Sequence, residues 1–416
     1  MVSKQSTNTS SKERGFQSSV QVHEELVQSE KDIQKIADHL KTQSIIAFDT
    51  EFIRETTFYP KLEIIQVASA SEAWLIDAQI AQEDPERKAF LDPILEVFQD
   101  PKIIKLVHAG LGDQECLYTS FGVLARNVFD TAIGASLCGL GDGIGLANLL
   151  KTLLGVRIKK GHARTHWSQR PLPRQLAKYA LADVEYLVAL GQELIEKLKS
   201  LHRFEWTQEL CSQLEDQSLF EQSPNQIAER LYKSGKITPN DYGVLLHLVQ
   251  WREKRVRQLN IPKKWLASDS VILDIARVQP KNEKELHHFR GLNRGELKKN
   301  SAIILEQIER GKKSSLSPPK RTKNPPPSVS ETRVVDLLKC YLGILSDEHQ
   351  IAPRHLVSTD HLLPLVRSQA SSSQAWVDRG WLSQGAATLV GETLWKFLNG
   401  KIQLAVDQRQ VKLIDA

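Results

Sequence analysis

In this 416-residue chain every segment that reads as a β-strand falls before about Leu201, and beyond it the apolar spacing is helical. Ile45-Ile46-Ala47-Phe48 is a short buried run, bounded on its far side by Asp49-Thr50-Glu51. Leu62 to Ala68 and Ala73 to Asp77 read as two further strands joined through Ser69-Ala70-Ser71-Glu72, and Ile103 to Val107 as another. Ser29 and Asp32 form a capping signal ahead of Ile33, Ile36, Ala37 and Leu40. Helical spacing recurs over Arg87–Phe98, Leu111–Phe121, Ala132–Leu137 and Leu146–Leu154, then in one long helix from Pro173 to about Leu198. Strands first, then strands alternating with helices, predict an α/β domain over 20–200, followed by all-α structure.

Around that domain, residues 1–19 read as a polar, disordered tail. A helical connector is expected over 201–237 and a helical domain over 238–312. Pro318, Pro319, Pro325, Pro326 and Pro327 among Ser, Lys and Arg then mark an extended linker over 313–330. A second small helical domain is expected over 331–405. Hydrophobic residues are 41% and charged residues 25%, enough for ordinary cores. The net charge of +5 permits a nucleic-acid partner without requiring one. No run nears the roughly 18 apolar residues of a membrane span, and the N-terminal residues lack the apolar block of a signal peptide. Cys116, Cys138, Cys211 and Cys340 are scattered without metal-binding spacing, so reduced thiols and a cytoplasmic location are expected, with no membrane partner.

The chemistry-bearing residues are acids. Asp49 and Glu51, two apart on a strand, leave the same face, and two adjacent carboxylates repel unless a cation sits between them. Hard divalent cations with oxygen ligands are the usual occupants. A D-x-E at a strand end is, alone, as easily a solvated turn. Asp113 follows the next buried strand through His108-Ala109-Gly110-Leu111-Gly112, where an acid in a helix's first turn also suits the dipole. Tyr179 and Asp183, four apart, share one face of the long helix. Together Asp49, Glu51, Asp113, Asp183 and Tyr179 are what a two-metal phosphodiester hydrolase needs.

The chain here resembles the DEDDy-type 3′–5′ exonucleases, and within them the ribonuclease D family. The stretches that carry the resemblance are Phe48-Asp49-Thr50-Glu51-Phe52; Tyr59-Pro60-Lys61-Leu62 with Ile65-Gln66; His108-Ala109-Gly110 with Asp113; Asp130-Thr131; Trp167 with Arg170-Pro171-Leu172; and Tyr179-Ala180 with Asp183-Val184 and Tyr186-Leu187. It implies an RNase H-like mixed sheet flanked by helices, and two divalent ions, Mg²⁺ or Mn²⁺. Asp49 would bridge both ions, Glu51 and Asp183 would complete the nucleophile-side site, and Asp113 would serve the leaving-group ion through water. Tyr179 would orient or deprotonate the attacking water, and a free phenol's pKa near 10 favours orientation. It also implies a 3′–5′ exoribonuclease that trims structured RNA, tRNA precursors in particular, to 5′-mononucleotides with no obligate protein partner; the alternatives are the same site acting on DNA, or a non-catalytic RNA-binding scaffold.

One segment departs from that family's pattern. His166 precedes Trp167 where an acid is usual, in Lys159-Lys160-Gly161-His162-Ala163-Arg164-Thr165-His166. Arg164, Arg170 and Arg174 in and after this basic loop, with His108, are candidate substrate contacts. Trp251-Arg252-Glu253, Ile261-Pro262-Lys263-Lys264 and Gly291-Leu292 resemble an HRDC domain, whose basic residues include Lys254, Arg255, Arg257, Lys263, Lys264, Arg290, Arg294, Lys298 and Lys299. One-face clustering would make them a nucleic-acid platform, and scatter an ordinary surface. Ala352-Pro353, Leu356, Leu362-Leu363 and Gly380-Trp381 resemble a second, divergent HRDC unit, which is expected either to bind RNA or only to pack on the catalytic domain.

Overall fold

The computed structural model describes residues 16, 18–158, 166–234, 237–320 and 325–415. Strand β1 (Gln21–Val27) leads to helix α1 (Glu30–Lys41), where the Ser29 side chain accepts from the Asp32 N–H. Then come β2 (Ile45–Ile53), β3 (Lys61–Ala68), β4 (Glu72–Asp77), α2 (Gln79–Glu83), α3 (Asp92–Gln99) and β5 (Ile104–Val107). Helix α4 (Leu111–Phe121), β6 (Val128–Asp130), α5 (Thr131–Leu137) and α6 (Leu146–Leu154) follow. The six strands form one mixed sheet in the order β1-β4-β3-β2-β5-β6. The β2-β3-β4 meander is antiparallel, while β1 on β4, β5 on β2 and β6 on β5 are parallel.

Alternation along β2 sets the two faces. Ile46 and Phe48 join Ile33, Ile65 and Phe98 in a core beneath α1, α3 and α4. Ala47 joins Ile64 and Leu106 on the other face, beneath α7 (Arg174–Glu185) and α8 (Leu187–Ser200). Asp49 and Glu51 continue the Ala47 face. They lie inside β2, which runs on to Ile53, rather than at its end as expected.

Three sequence expectations change. The long helix from Pro173 to Leu198 is two helices, broken at Tyr186 (φ −102, ψ −5), so that α7 crosses β1, β3 and β4 while α8 crosses β5 and α5. Apolar residues continue through the break at Val184, Leu187 and Val188, which is why periodicity reads one helix. The Arg87–Phe98 helix is a 3₁₀ segment, Pro85–Leu91, followed by α3, with Arg87 itself non-helical (φ −109, ψ 21). Strands also exist beyond Leu201: β7 (Ile402–Asp407) and β8 (Gln410–Asp415) form an antiparallel hairpin. Its turn residues Gln408 (φ 47) and Arg409 (φ 67) are both left-handed, a conformation normally signalled by Gly or Asn. Without those residues the turn is silent in the sequence.

The segment expected as a connector is partly bound to the sheet. Helix α9 (Phe204–Ser212) places Cys211 Sγ 3.2 Å from the Asp130 N–H, and Glu215 Oε1 accepts from the Val128 N–H at 3.0 Å. Helices α10 (Pro224–Lys233), α11 (Tyr242–Leu259), α12 (Lys263–Leu266), α13 (Asp269–Val278), α14 (Glu283–Leu286) and α15 (Arg294–Lys312) enclose a separate core around Leu245, Leu248, Ile272 and Ile304. Beside it, Arg252 is fully buried and bonded by Glu253 and Asp269. This unit meets the sheet domain where Asn260 Oδ1 accepts the Phe58 N–H at 3.0 Å, with the Phe58 ring beneath Arg257.

Residues 313–320 and 325–328 of the expected linker have no regular structure, its last two residues already belong to the next helix, and residues 321–324 lie outside the described ones. Helix α16 (Val329–His349) opens the last helical unit. Its Leu338 and Tyr341, with Trp376 and Leu394, share one continuous core with Leu190 and Trp206 of the sheet domain. Gly385 rests on Trp206, where a Cβ would overlap the indole, and Glu209 accepts the Gln384 and Gly385 N–H groups at 2.9 and 3.2 Å. Most of the expected N-terminal tail, residues 1–15 and 17, lies outside the described residues, while Phe16 donates to the Leu154 carbonyl at 3.1 Å.

Because Trp206 is 4% exposed and shared by both units, Trp206→Ala is expected to cost about 3–5 kcal/mol and to release the last unit from the sheet domain. Limited proteolysis should then cut near residues 313–330 faster than in the wild type. Unchanged cleavage would show that Trp206 does not hold the two together.

Candidate active site

Four acids come together from three elements. Asp49 and Glu51 project from β2 and Asp183 from α7, each offering a carboxylate oxygen within 4.8 Å of the other two. Asp113, in the first turn of α4 and 6% exposed, stands beside them, where the hydroxyl of Thr50 donates to its Oδ1. Thr50 lies between Asp49 and Glu51 but faces the opposite side of β2, so one strand presents two acids to α7 and a hydroxyl to α4. Tyr179 lies one turn before Asp183 and donates its hydroxyl to that carboxylate. The Tyr179 ring packs 6.1 Å from the Trp167 ring at an interplanar angle of 32°.

Burial and mutual repulsion raise the proton affinity of these acids. Asp49 is pushed well above the carboxylate range by burial and then by Asp113, Asp183 and Glu51. Burial, with Asp183 and Asp113, lifts Glu51 to about 9. Burial also lifts Asp113 and Asp183 to about 6, opposed by hydrogen bonds from Thr50 and Tyr179 respectively. The Tyr179 phenol is raised by burial and by Asp183, Glu51 and Asp49, which keeps it neutral at physiological pH. Among the described residues no Lys, Arg or His forms an ion pair with any of the four acids. A dense, cation-free carboxylate set fits hard divalent ions.

The expected substrate contacts fare differently. Arg170 is not free for RNA. Its Nε and Nη2 donate to Asp77 at 2.8 and 2.7 Å, Nη2 also to the Glu63 carbonyl, and Nη1 to the Trp167 carbonyl at 2.7 Å. This clamp fixes the loop that carries Trp167 onto β3 and β4, so Arg170 supports Tyr179 through Trp167 instead of gripping a phosphate. His108 is half-buried, with Nδ1 2.9 Å from Thr131 Oγ1, and burial holds it below the usual imidazole value, which makes it a poor phosphate partner at neutral pH. Arg174 is exposed and paired with Glu24 at 2.7 Å. Arg164, with the rest of 159–165, lies outside the described residues. Thr50 and Asp77 escaped sequence reasoning: Thr50 was hidden inside the D-x-E pattern, and Asp77 is 93 residues from its arginine.

The raised proton affinities set a stability signature in metal-free protein. A carboxyl group whose folded value exceeds its unfolded one stabilises below about pH 4 and loses that contribution as pH climbs through the folded value. Here the loss runs from pH 4 through about 6 to about 9. Asp49→Asn is therefore expected to leave the melting temperature of EDTA-treated protein unchanged near pH 4 and raise it by a few degrees at pH 8. Mg²⁺ should raise the wild-type value more at pH 8 than at pH 5. A flat pH response in both would contradict the clustering.

Comparison with known proteins agrees with this architecture. Residues 25–199 match the 3′–5′ exonuclease domain family and residues 241–308 the HRDC domain family. Ribonuclease D of Bartonella henselae is 32% identical over 366 residues, 87% of each chain. Ribonuclease D of Granulibacter bethesdensis is 31% identical over 395 residues, 94% of this chain and 96% of that one. The crystal structure of Escherichia coli RNase D, described as an exoribonuclease involved in structured RNA processing, superposes with a TM-score of 0.73 at 23% identity, over 89% of this chain and 98% of that one, and shares the fold. The chain belongs to the ribonuclease D family of 3′–5′ exoribonucleases.

Proposed function

We propose that this protein trims the 3′ tails of structured RNA, tRNA precursors in particular, releasing 5′-mononucleotides in the cytoplasm by a two-metal mechanism. The observation that carries the reading is the meeting of Asp49, Glu51 and Asp183 oxygens within 4.8 Å, with Tyr179 bonded to Asp183. Asp49, Glu51 and Asp183 would hold one divalent ion, Mg²⁺ or Mn²⁺, and Asp49 with Asp113 the second. Such ions supply acidification of the attacking water and stabilisation of the leaving 3′ oxygen.

The protein's own residues do the positioning. Tyr179, a neutral phenol held by Trp167 and Asp183, orients the attacking water by hydrogen bonding instead of removing its proton. Thr50 fixes Asp113 against the strand that carries Asp49. The free cysteines suit a reducing compartment, and no helix among the described residues is long and apolar enough to cross a membrane.

The HRDC-matching unit supports an RNA partner. Arg255, Arg257 and Lys263 are used internally, on Glu296, Glu253 and Phe58. Lys264, Arg290, Arg294 and Lys298 are exposed and make no ion pair among the described residues. Trp265 follows Lys264 in the chain, is 45% exposed, and has its carbonyl bonded by Asn293, the residue before Arg294. An exposed indole among free cations is a surface on which an unpaired base can stack while the cations meet phosphates.

Matched 3′-extended tRNA and DNA, each with and without Mg²⁺, test the reading. Mg²⁺-dependent shortening of the RNA from its 3′ end to 5′-mononucleotides is expected, and equal rates on DNA would overturn the substrate assignment. Tyr179→Phe, which removes only a hydroxyl, should lower turnover by roughly 10²–10⁴ with RNA affinity nearly unchanged. Equal losses in both would make Tyr179 a packing residue.

A further inference from the structure

The turn that delivers Asp113 is conformationally demanding. Ala109 sits in the left-handed region at φ 58, and a side chain at Gly110 would overlap Val107. Asp130, at the end of the neighbouring strand β6 and 3% exposed, meets both residues. Its Oδ1 accepts the Ala109 N–H at 3.0 Å and its Oδ2 the Gly110 N–H at 3.0 Å, while Oδ1 also caps α5 through the Ala132 N–H at 2.8 Å. The next residue ties down the turn's first member: Thr131 Oγ1 donates to the Val107 carbonyl at 2.9 Å, leaving its lone pair for His108 Nδ1–H at 2.9 Å. Among the described residues no cation pairs with Asp130. Both of its oxygens serve backbone N–H groups, and charge-assisted bonds of this kind are the strong ones.

We propose that Asp130 is a positioning residue for Asp113: by bonding Ala109 and Gly110 it sets where α4 begins, and so how far the Asp113 carboxylate stands from Asp49. This rests on the reading above of Asp113 as a ligand of the second ion. A plain helix cap needs only the bond to Ala132. The two bonds to the β5–α4 turn do nothing for α5, and they fix the residue four places ahead of the first of them.

The test uses the full-length protein and Mn²⁺ or Mg²⁺ titrated by calorimetry. Asp130→Asn keeps the shape but turns one acceptor into an NH₂ facing an N–H. One of the two bound ions should weaken by roughly 10–100-fold, the usual scale for a group that orients a metal ligand, with the other unchanged. In metal-free protein, amide exchange over residues 108–113 should quicken. Turnover should fall with KM for a 3′-extended RNA held within about twofold, the pattern of a group felt mainly in the transition state. Adding Ala109→Gly, which accepts φ 58 without strain, should restore part of the lost ion affinity. If Asp130→Asn fails to fold, Ala109→Val, at the turn's exposed position, loosens the same turn with Asp130 intact and should show the same selective ion loss. Unchanged ion binding in the folded variants, with only a lower melting temperature, would reduce Asp130 to a cap. If Asp113→Asn also left both ions bound, the reading of Asp113 itself would fall, so the two failures are separable.

Discussion

Four carboxylates crowd one half-buried spot, and their mutual repulsion is the constraint around which the rest of this fold is arranged. No element carries more than two of them. Asp49 and Glu51 ride on a strand inside the sheet, with β3 and β5 bonded on either side. Asp183 comes from a helix pressed on that sheet by Ala177, Ala180 and Val184, and Asp113 from a helix on the opposite face. Small residues on α7 bring it close to the strands, and the packed sheet supplies the stiffness that keeps the acids from spreading apart. A looser scaffold would relieve the repulsion by moving, and the site would be lost.

The groups allowed near the acids are chosen accordingly. Thr50 and Tyr179 are neutral donors: each steadies one carboxylate without cancelling charge that a divalent ion is to meet. Arg170 shows the opposite solution. It lies in the loop beside Tyr179, yet the 3%-exposed Asp77 side chain and three backbone carbonyls take its guanidinium. Its charge is spent on holding Trp167 in place, outside the acidic cluster. A free guanidinium there would compete with the ions.

Much of this was legible in the sequence, for identifiable reasons. Apolar spacing and the preceding glycines coincide at Leu111–Phe121, so sequence and structure give α4 the same bounds. The acids were legible because a period of two on a strand and of four on a helix fixes which side chains share a face. What stayed hidden depends on contacts between distant segments. The Tyr186 break leaves the apolar period intact, so spacing alone cannot see it. β1 pairs with β4 while half-exposed, and three-residue β6 offers too little pattern to read. The Asp77–Arg170 and Asp130–Ala109 bonds join residues whose separation carries no local signal, so from sequence alone Arg170 looks like a phosphate contact.

The two helical units beyond the sheet differ in what they share with it. The 241–308 unit has its own core and touches the sheet domain through Phe58, Tyr59 and Asn260, so its surface is available for a partner. The last unit buries Leu338, Tyr341 and Trp376 in the same core as α8 and Trp206, and is structurally part of the catalytic scaffold. The catalytic body therefore does not stop where the α/β pattern ends. A chain cut near Leu210 would expose Trp206 and delete Cys211, whose sulfur accepts the Asp130 N–H. Asp130 in turn bonds the turn that carries Asp113. The acidic residues are encoded before residue 184, but the packing that keeps one of them in register continues through α9.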